Sequence, residues 1–222
     1  MPRVARNVFA NIPHHITQRG NRREDVFFVD EDRQFYLERL GEYCEKWSVE
    51  ILAYCLMTNH VHLILKPTSE DGLQRVLKPL HMRYAQRINK EKGWKGHLWQ
   101  GRFFSSALDE AYLWSAIRYV ERNPVRAKMV DSAEDYQWSS AACHCGFKEE
   151  SLLAEISKSE RLVDQKSWSN WLKIADSPSH MELLRRNVDK GLPCGSDQFI
   201  DGLEEMSGKV LRFRPQGRPT KG

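Results

Sequence analysis

Residues 49–66, VEILAYCLMTNHVHLILK, carry two β-rich runs, Val49 to Met57 and His60 to Lys66, separated by Thr58-Asn59. A two-residue connection of this kind reads as a tight hairpin, so the two strands are expected to be antiparallel neighbours. In the second run His60 and His62 alternate with Val61, Leu63 and Leu65. Strand side chains point to opposite faces in turn, which places both imidazoles on one face and the aliphatic set on the other. Two ring nitrogens can then reach one ion. An isolated His-x-His is more often an ordinary half-exposed pair, so the triplet needs support from elsewhere in the chain.

Working outward, His14 to Arg19 reads as a strand ended by Gly20-Asn21, with a basic loop after it. Asp30 to Trp47 has apolar residues at helical spacing behind an acidic start. Gly72 to Asn89 reads as a second helix, kinked or split by Pro79, His97 to Ser106 as a further strand, and Glu110 to Asn123 as a third helix. Strand, helix, hairpin, helix, strand, helix is the order of an α+β, ferredoxin-like (split βαβ) antiparallel sheet with helices packed on it. Beyond Gly146, Leu152 to Leu162 and Trp168 to Val188 look helical, and Ser196 is a good N-cap for a short helix through Met206. Phe213 to Gly222, with its prolines, glycines and arginines, reads as a mobile basic tail. The expected division is a main domain over 1–146, a helical extension over 147–208 and a tail over 209–222.

On the third helix Tyr119 and Asn123 are four residues apart and share a side, flanking a stripe of Leu113, Ala116, Ile117 and Val120. Pro124 should stop the helix at or near Asn123, so that the amide projects from a helix end at the rim of a site. Taken singly, the pair is a boundary aromatic and a C-terminal cap.

The net charge is +4 with a pI near 8.8, below the value of about 9 that marks an obvious nucleic-acid domain. The charge is clustered, however: Arg19, Arg22 and Arg23 near the start, Arg118, Arg122 and Arg126 around the third helix, and Arg212, Arg214 and Arg218 near the end. Hydrophobic residues make up 41%, a globular proportion, and no apolar run approaches the roughly 20 residues of a membrane span. No secretory h-region follows the first residues, so a cytoplasmic address is expected. Five cysteines at 44, 55, 143, 145 and 194 lack a disulfide spacing and read as reduced thiols; Cys143-His144-Cys145 has no second pair to make a zinc site.

Four stretches now combine: HHITQRGN (14–21), MTNHVH (57–62), LWQGRF (98–103) and RYVERNPVRA (118–127). In this order they resemble the REP-associated tyrosine transposases, a branch of the one-tyrosine HUH transposases. The likeness covers about residues 5 to 146, with further similarity at Gly191 to Phe199 and Gly217-Arg218-Pro219. It implies a ferredoxin-like fold, His60 and His62 as metal ligands for Mg²⁺ or Mn²⁺, and Tyr119 as nucleophile. Related insertion-sequence enzymes have a glutamine four residues after the tyrosine as third ligand; Asn123 stands there, one methylene shorter. The implied substrate is single-stranded DNA beside a REP-type hairpin, cut and rejoined through a 5′-phosphotyrosine. A nucleoid-associated monomer is implied, with a dimer as the alternative.

Arg19, Asn21, Arg22, Gln100 and Arg102 are expected to contact DNA, with Arg118 and Arg122 giving electrostatic help to Tyr119. Trp99, Tyr112 or Phe104 could stack on bases, although Phe104 is expected in the core. Two readings compete: a domesticated protein that binds hairpins without cutting, and a metal-dependent hydrolase that uses activated water and needs no tyrosine.

Overall fold

The computed structural model describes residues 7–149, 151–154 and 165–213. Strand β1 (His14–Arg19) leads through a basic loop to helix α1 (Asp30–Lys46), and the hairpin of β2 (Val49–Leu56) and β3 (His60–Pro67) follows. Next come α2 (Gly72–Lys92), β4 (Phe104–Ala107) and α3 (Glu110–Glu121). The strands form one antiparallel sheet in the order β2-β3-β1-β4, the split βαβ arrangement. Short helices α4 (Asn123–Arg126) and α5 (Ala141–His144) precede α6 (Gln165–Lys173), α7 (Pro178–Lys190) and α8 (Asp197–Ser207).

The alternation in β3 sorts the two sides of the sheet. Ile16, Val61, Leu63 and Leu65 are fully buried on one face, against Tyr36 and Leu40 of α1 and Val76, Leu77 and Leu80 of α2. Each such aliphatic side chain contributes about 1.5–3 kcal/mol relative to exposure. The other face carries Ala53, Cys55 and Ile64, covered by Trp114, Ile117 and Val120 of α3 and then by Trp168 and Leu172 of α6 and Leu184 of α7. Thr17 pairs with His62, Arg19 with His60, and Phe104 with Thr17, so these residues share this second face.

Several boundaries differ from expectation, each for a local reason. α2 runs unbroken through Pro79, because Val76, Leu77 and Leu80 hold both halves on the sheet. The strand expected from His97 begins only at Phe104. Leu98, Trp99 and Phe103 are buried as anchors of a loop instead, with Trp99 Nε1 donating to the His81 carbonyl at 3.0 Å. The third helix stops at Glu121, and Asn123-Pro124 opens α4, where proline's missing N–H costs nothing. The segment 168–188 is two helices, since Ser177 is extended ahead of Pro178 at the start of α7. α8 begins as expected, with Ser196 Oγ accepting from Phe199 N at 3.2 Å. Residues 151–154 are not helical, whereas 155–162 and tail residues 214–222 lie outside the described residues. Among the described residues no helix is long and apolar enough to cross a membrane.

Candidate active site

His60 and His62 line a cavity of about 370 Å³ on the second face of the sheet. β1 contributes Thr17, Gln18 and Arg19 to its wall, the neighbouring loops Arg23 and Gln100, β4 Phe104, α3 Tyr119, and α7 Arg185, Val188 and Asp189. The basic loop is folded tightly to reach it. A Cβ on Gly20 would sit 2.2 Å from the Glu24 carbonyl, and Arg22 and Arg23 both hold positive φ, at 53° and 65°. Strain of this kind, about 1–3 kcal/mol per residue, persists only where the surroundings enforce it.

The hydrogen bonds of the two histidines bear on their tautomers. Asn59 Nδ2 donates to the Arg23 carbonyl at 2.9 Å, which turns Asn59 Oδ1 toward His60. His60 Nδ1 therefore carries a proton and donates to that oxygen at 2.6 Å, leaving Nε2 with its lone pair. His62 Nδ1 shares a 2.9 Å hydrogen bond with His15 Nε2, and the two rings stack at 5.1 Å. The Nε2 atoms of both His60 and His62 are free of hydrogen bonds to the described residues. Burial holds all three rings neutral: His60 is pulled down to about 4, His15 to about 3, and His62 well below the ordinary value. Neutral imidazoles with open Nε2 atoms fit a divalent cation. Among the described residues no group of three or more His, Cys, Asp or Glu side chains is arranged as a metal cage.

Tyr119 is 6% exposed and sits deeper than a flank position would put it. Asp109 caps the start of α3 by accepting from Tyr112 N at 2.9 Å, and Pro124 marks its end, which fixes the phase of the helix over the sheet. The ring meets His62 edge-on at 5.5 Å and His15 at 5.6 Å. Arg126 lies over its face at 4.3 Å while Nη2 donates to the Tyr119 carbonyl at 2.6 Å. Arg185 Nε donates to the hydroxyl at 3.4 Å.

The structure thus brings together His60, His62, Tyr119, Arg19 and Gln100. Asn123 is not among the cavity-lining residues, and its Nδ2 is buried without a hydrogen-bond partner among the described residues. Arg118 and Arg122 face α6: they bind the carbonyls of Trp171 and Leu172 and the Asp176 carboxylate. Arg102 lines separate hollows beside α2, and Asn21 and Arg22 form the short turn after β1. Phe104, expected in the core, is 47% exposed in the cavity wall, whereas Trp99 is buried. Sequence reasoning named Arg23 and Arg126 only as members of basic clusters and missed His15 and Arg185. Strand alternation could have found His15, since it shares a face with Thr17 and Arg19; nothing local points to Arg185, 66 residues from the tyrosine it touches.

A Haemophilus influenzae protein assigned as a REP-associated tyrosine transposase is 24% identical over 124 residues, covering 51% of this chain and 68% of that protein. A solved structure of a REP-associated tyrosine transposase bound to a REP hairpin superposes with a TM-score of 0.55 at 18% identity, covering 71% of this chain and all of that one, a likeness of fold. The family described as Transposase IS200 like matches residues 8–123, a span from just before β1 to the end of α3 that holds both histidines and the tyrosine. With more than half of its length inside that match, the chain belongs to the IS200-like transposases.

Proposed function

We propose that this chain cuts and rejoins single-stranded DNA by transesterification, with Tyr119 as the nucleophile. The observation that carries the reading is that Tyr119, His60 and His62 line one basic cavity whose wall includes an exposed aromatic ring. Residues 1–146 would supply these groups, with 147–208 as an extension and 209–222 as a basic tail.

A Mg²⁺ or Mn²⁺ ion held by the Nε2 atoms of His60 and His62 would polarise the scissile phosphate. Asn123 is the third ligand the resemblance implies, and its side chain would have to turn toward the cavity to serve. Arg19, Arg23 and Gln100 surround the space where phosphate oxygens would lie, and Phe104 offers a stacking platform for an unpaired base. Arg126, stacked on the Tyr119 ring, orients the phenol and keeps a positive charge beside it. Attack by tyrosine stores the phosphodiester energy as a phosphotyrosine, so a 3′-hydroxyl can reverse the step; attack by water would discard it. The relative solved with a REP hairpin supports hairpin DNA as the partner, and the reading is completed by a nucleoid-associated monomer in the cytoplasm.

One observation favours a second reading, a hairpin-binding protein that no longer cuts: Asn123, at the third ligand position, is not among the residues that line the cavity. The test is incubation with single-stranded hairpin DNA from the flanks of its own gene and Mn²⁺, followed by a denaturing gel. The expected result is a covalent adduct that disappears with chelator and in Tyr119→Phe, while that variant still binds DNA. Tight binding by the wild type without adduct would support the silent binder, and adduct persisting in Tyr119→Phe would remove Tyr119 from its role.

A further inference from the structure

Two guanidinium groups reach Tyr119, and they are held differently. Arg126 is partly buried, shares Asp176 with Arg118 and Arg122, and lies over the ring. Arg185 comes from α7, beyond the 8–123 span of the family match, and its Nε meets the phenolic oxygen at 3.4 Å. Among the described residues no carboxylate lies within ion-pair distance of Arg185, although Asp189 lines the same cavity one turn further on. Its charge is therefore directed at the oxygen and the open cavity rather than spent on a neighbour.

The placement is built by the chain around it. Leu184 and Val188, on either side of Arg185 along the helix, are 2% and 3% exposed. The segment that follows α7 is stitched to β4, with Ser106 Oγ donating to the Leu192 carbonyl at 2.6 Å and Cys194 N to the Ala107 carbonyl at 2.8 Å, and it is tied back to its own helix by Asn187 Nδ2, which donates to the Pro193 carbonyl at 2.7 Å. Gly191, at φ 65°, makes the left-handed turn that lets the segment fold back onto the strand.

We propose that Arg185 is a catalytic residue of the transesterification, so that the extension completes the active site. This rests on the reading of Tyr119 as nucleophile. In the forward step the bond from the Tyr119 oxygen to phosphorus forms as the bond from phosphorus to the 3′-oxygen breaks. The phenol releases one proton to solvent and the departing 3′-oxygen takes one up; rejoining runs the same exchange backwards. Arg185, charged throughout, donates to the tyrosine oxygen as it becomes anionic and then to the phosphoryl oxygens beside it. A 3.4 Å approach without substrate is the loose form of a contact that shortens as charge develops.

The experiment measures single-turnover adduct formation at saturating hairpin DNA from the gene's own flanks with Mn²⁺, for wild type, Arg185→Ala and Arg185→Lys. DNA affinity is measured separately in the same buffer. Arg185→Ala is expected to slow adduct formation by roughly 100-fold, the scale for losing one donor to a developing anion, with DNA affinity within about threefold of wild type. Arg185→Lys should recover part of the rate, and added guanidinium ion should raise the rate of Arg185→Ala, which repair of a misfolded chain would not do. A wild-type rate in Arg185→Ala overturns the proposal, as does a loss that follows DNA affinity alone. If the wild type forms no adduct, the Tyr119 reading fails first; if it does and Arg185→Ala matches it, only the present proposal fails.

Discussion

His15 shares one nitrogen with His62, and among the described residues its other, Nδ1, is buried without a hydrogen-bond partner. This bears directly on His62. To present Nε2 to a cation, His62 must keep its proton on Nδ1 and donate it to His15 Nε2, which forces the His15 proton onto the unpartnered Nδ1. The opposite arrangement satisfies both rings more cheaply but caps His62 Nε2 with a proton. Burying an unbonded N–H costs about 1–3 kcal/mol, so a bound cation has to supply that difference. His15 is thus the acceptor that makes the binding tautomer available. Replacing it with leucine should weaken Mn²⁺ binding by about 10–100-fold, the range for losing such a partner, as read by calorimetric titration of the DNA-free protein. Unchanged Mn²⁺ affinity in His15→Leu would show that His62 orients itself without help. Strand alternation in HHITQRGN could have put His15, Thr17 and Arg19 on one face, but which strand lies beside which was not legible, and without it His15 was only a histidine next to another.

Between elements, one carboxylate gathers three arginines. Asp176, in the link between α6 and α7, lies 3.4 Å from Arg118, 3.1 Å from Arg122 and 3.6 Å from Arg126, all at 13–17% side-chain exposure. Like charges one and two turns apart from α3 into α4 repel, and Asp176 converts that repulsion into a clamp between α3 and the extension. Arg118, Arg122 and Arg126 stood out in the sequence as a basic cluster and invited a phosphate. Their partner lies 50 to 58 residues downstream, and periodicity carries no information about contacts at that range. Asp176→Ala should lower the urea midpoint by an amount equivalent to about 3 kcal/mol, the scale for stranding a charge by removing its buried partner. Since α7 holds Arg185, the same variant should also form adduct more slowly, and Asp176→Asn should recover part of both losses. An unchanged urea midpoint in Asp176→Ala would mean that the apolar contacts of Trp168, Leu172 and Leu184 anchor the extension unaided.

For the whole molecule, the element order and the α+β class were legible because apolar residues recur at helical spacing in α1 to α3 while β3 alternates with a period of 2. The cavity was legible only in part, because one of its walls is α7, which packs on β4 through hydrogen bonds to backbone groups that leave no trace in side-chain pattern. The fold also stores a collective property in its histidines. His14 is fully buried, donating from Nδ1 to the Ile12 carbonyl at 2.7 Å and accepting from Phe9 N, and burial lowers its pKa to about 4. His15 and His60 are lowered for the same reason, and His62 with them. The unfolded chain, with histidines near 6.5, binds protons that the folded chain refuses, so stability rises with pH in this window. It is fully present above about pH 6.5 and is lost as pH falls toward 4. For His14 alone the loss amounts to about 2 kcal/mol at pH 5, and the other three add to it. Ordinary carboxylates stay ionised above pH 5, so melting curves between pH 8 and 5, taken in chelator, isolate the histidines. The midpoint should hold steady from pH 8 to 7 and then drop by several degrees by pH 5. His14→Gln should be less stable than wild type at pH 7.5 yet lose less on acidification, because it removes one proton-accepting group from the unfolded chain. A wild-type melting temperature that stays flat down to pH 5 would mean that these rings take up protons in place, and that the neutral pairing of His15 with His62 is not what the fold enforces.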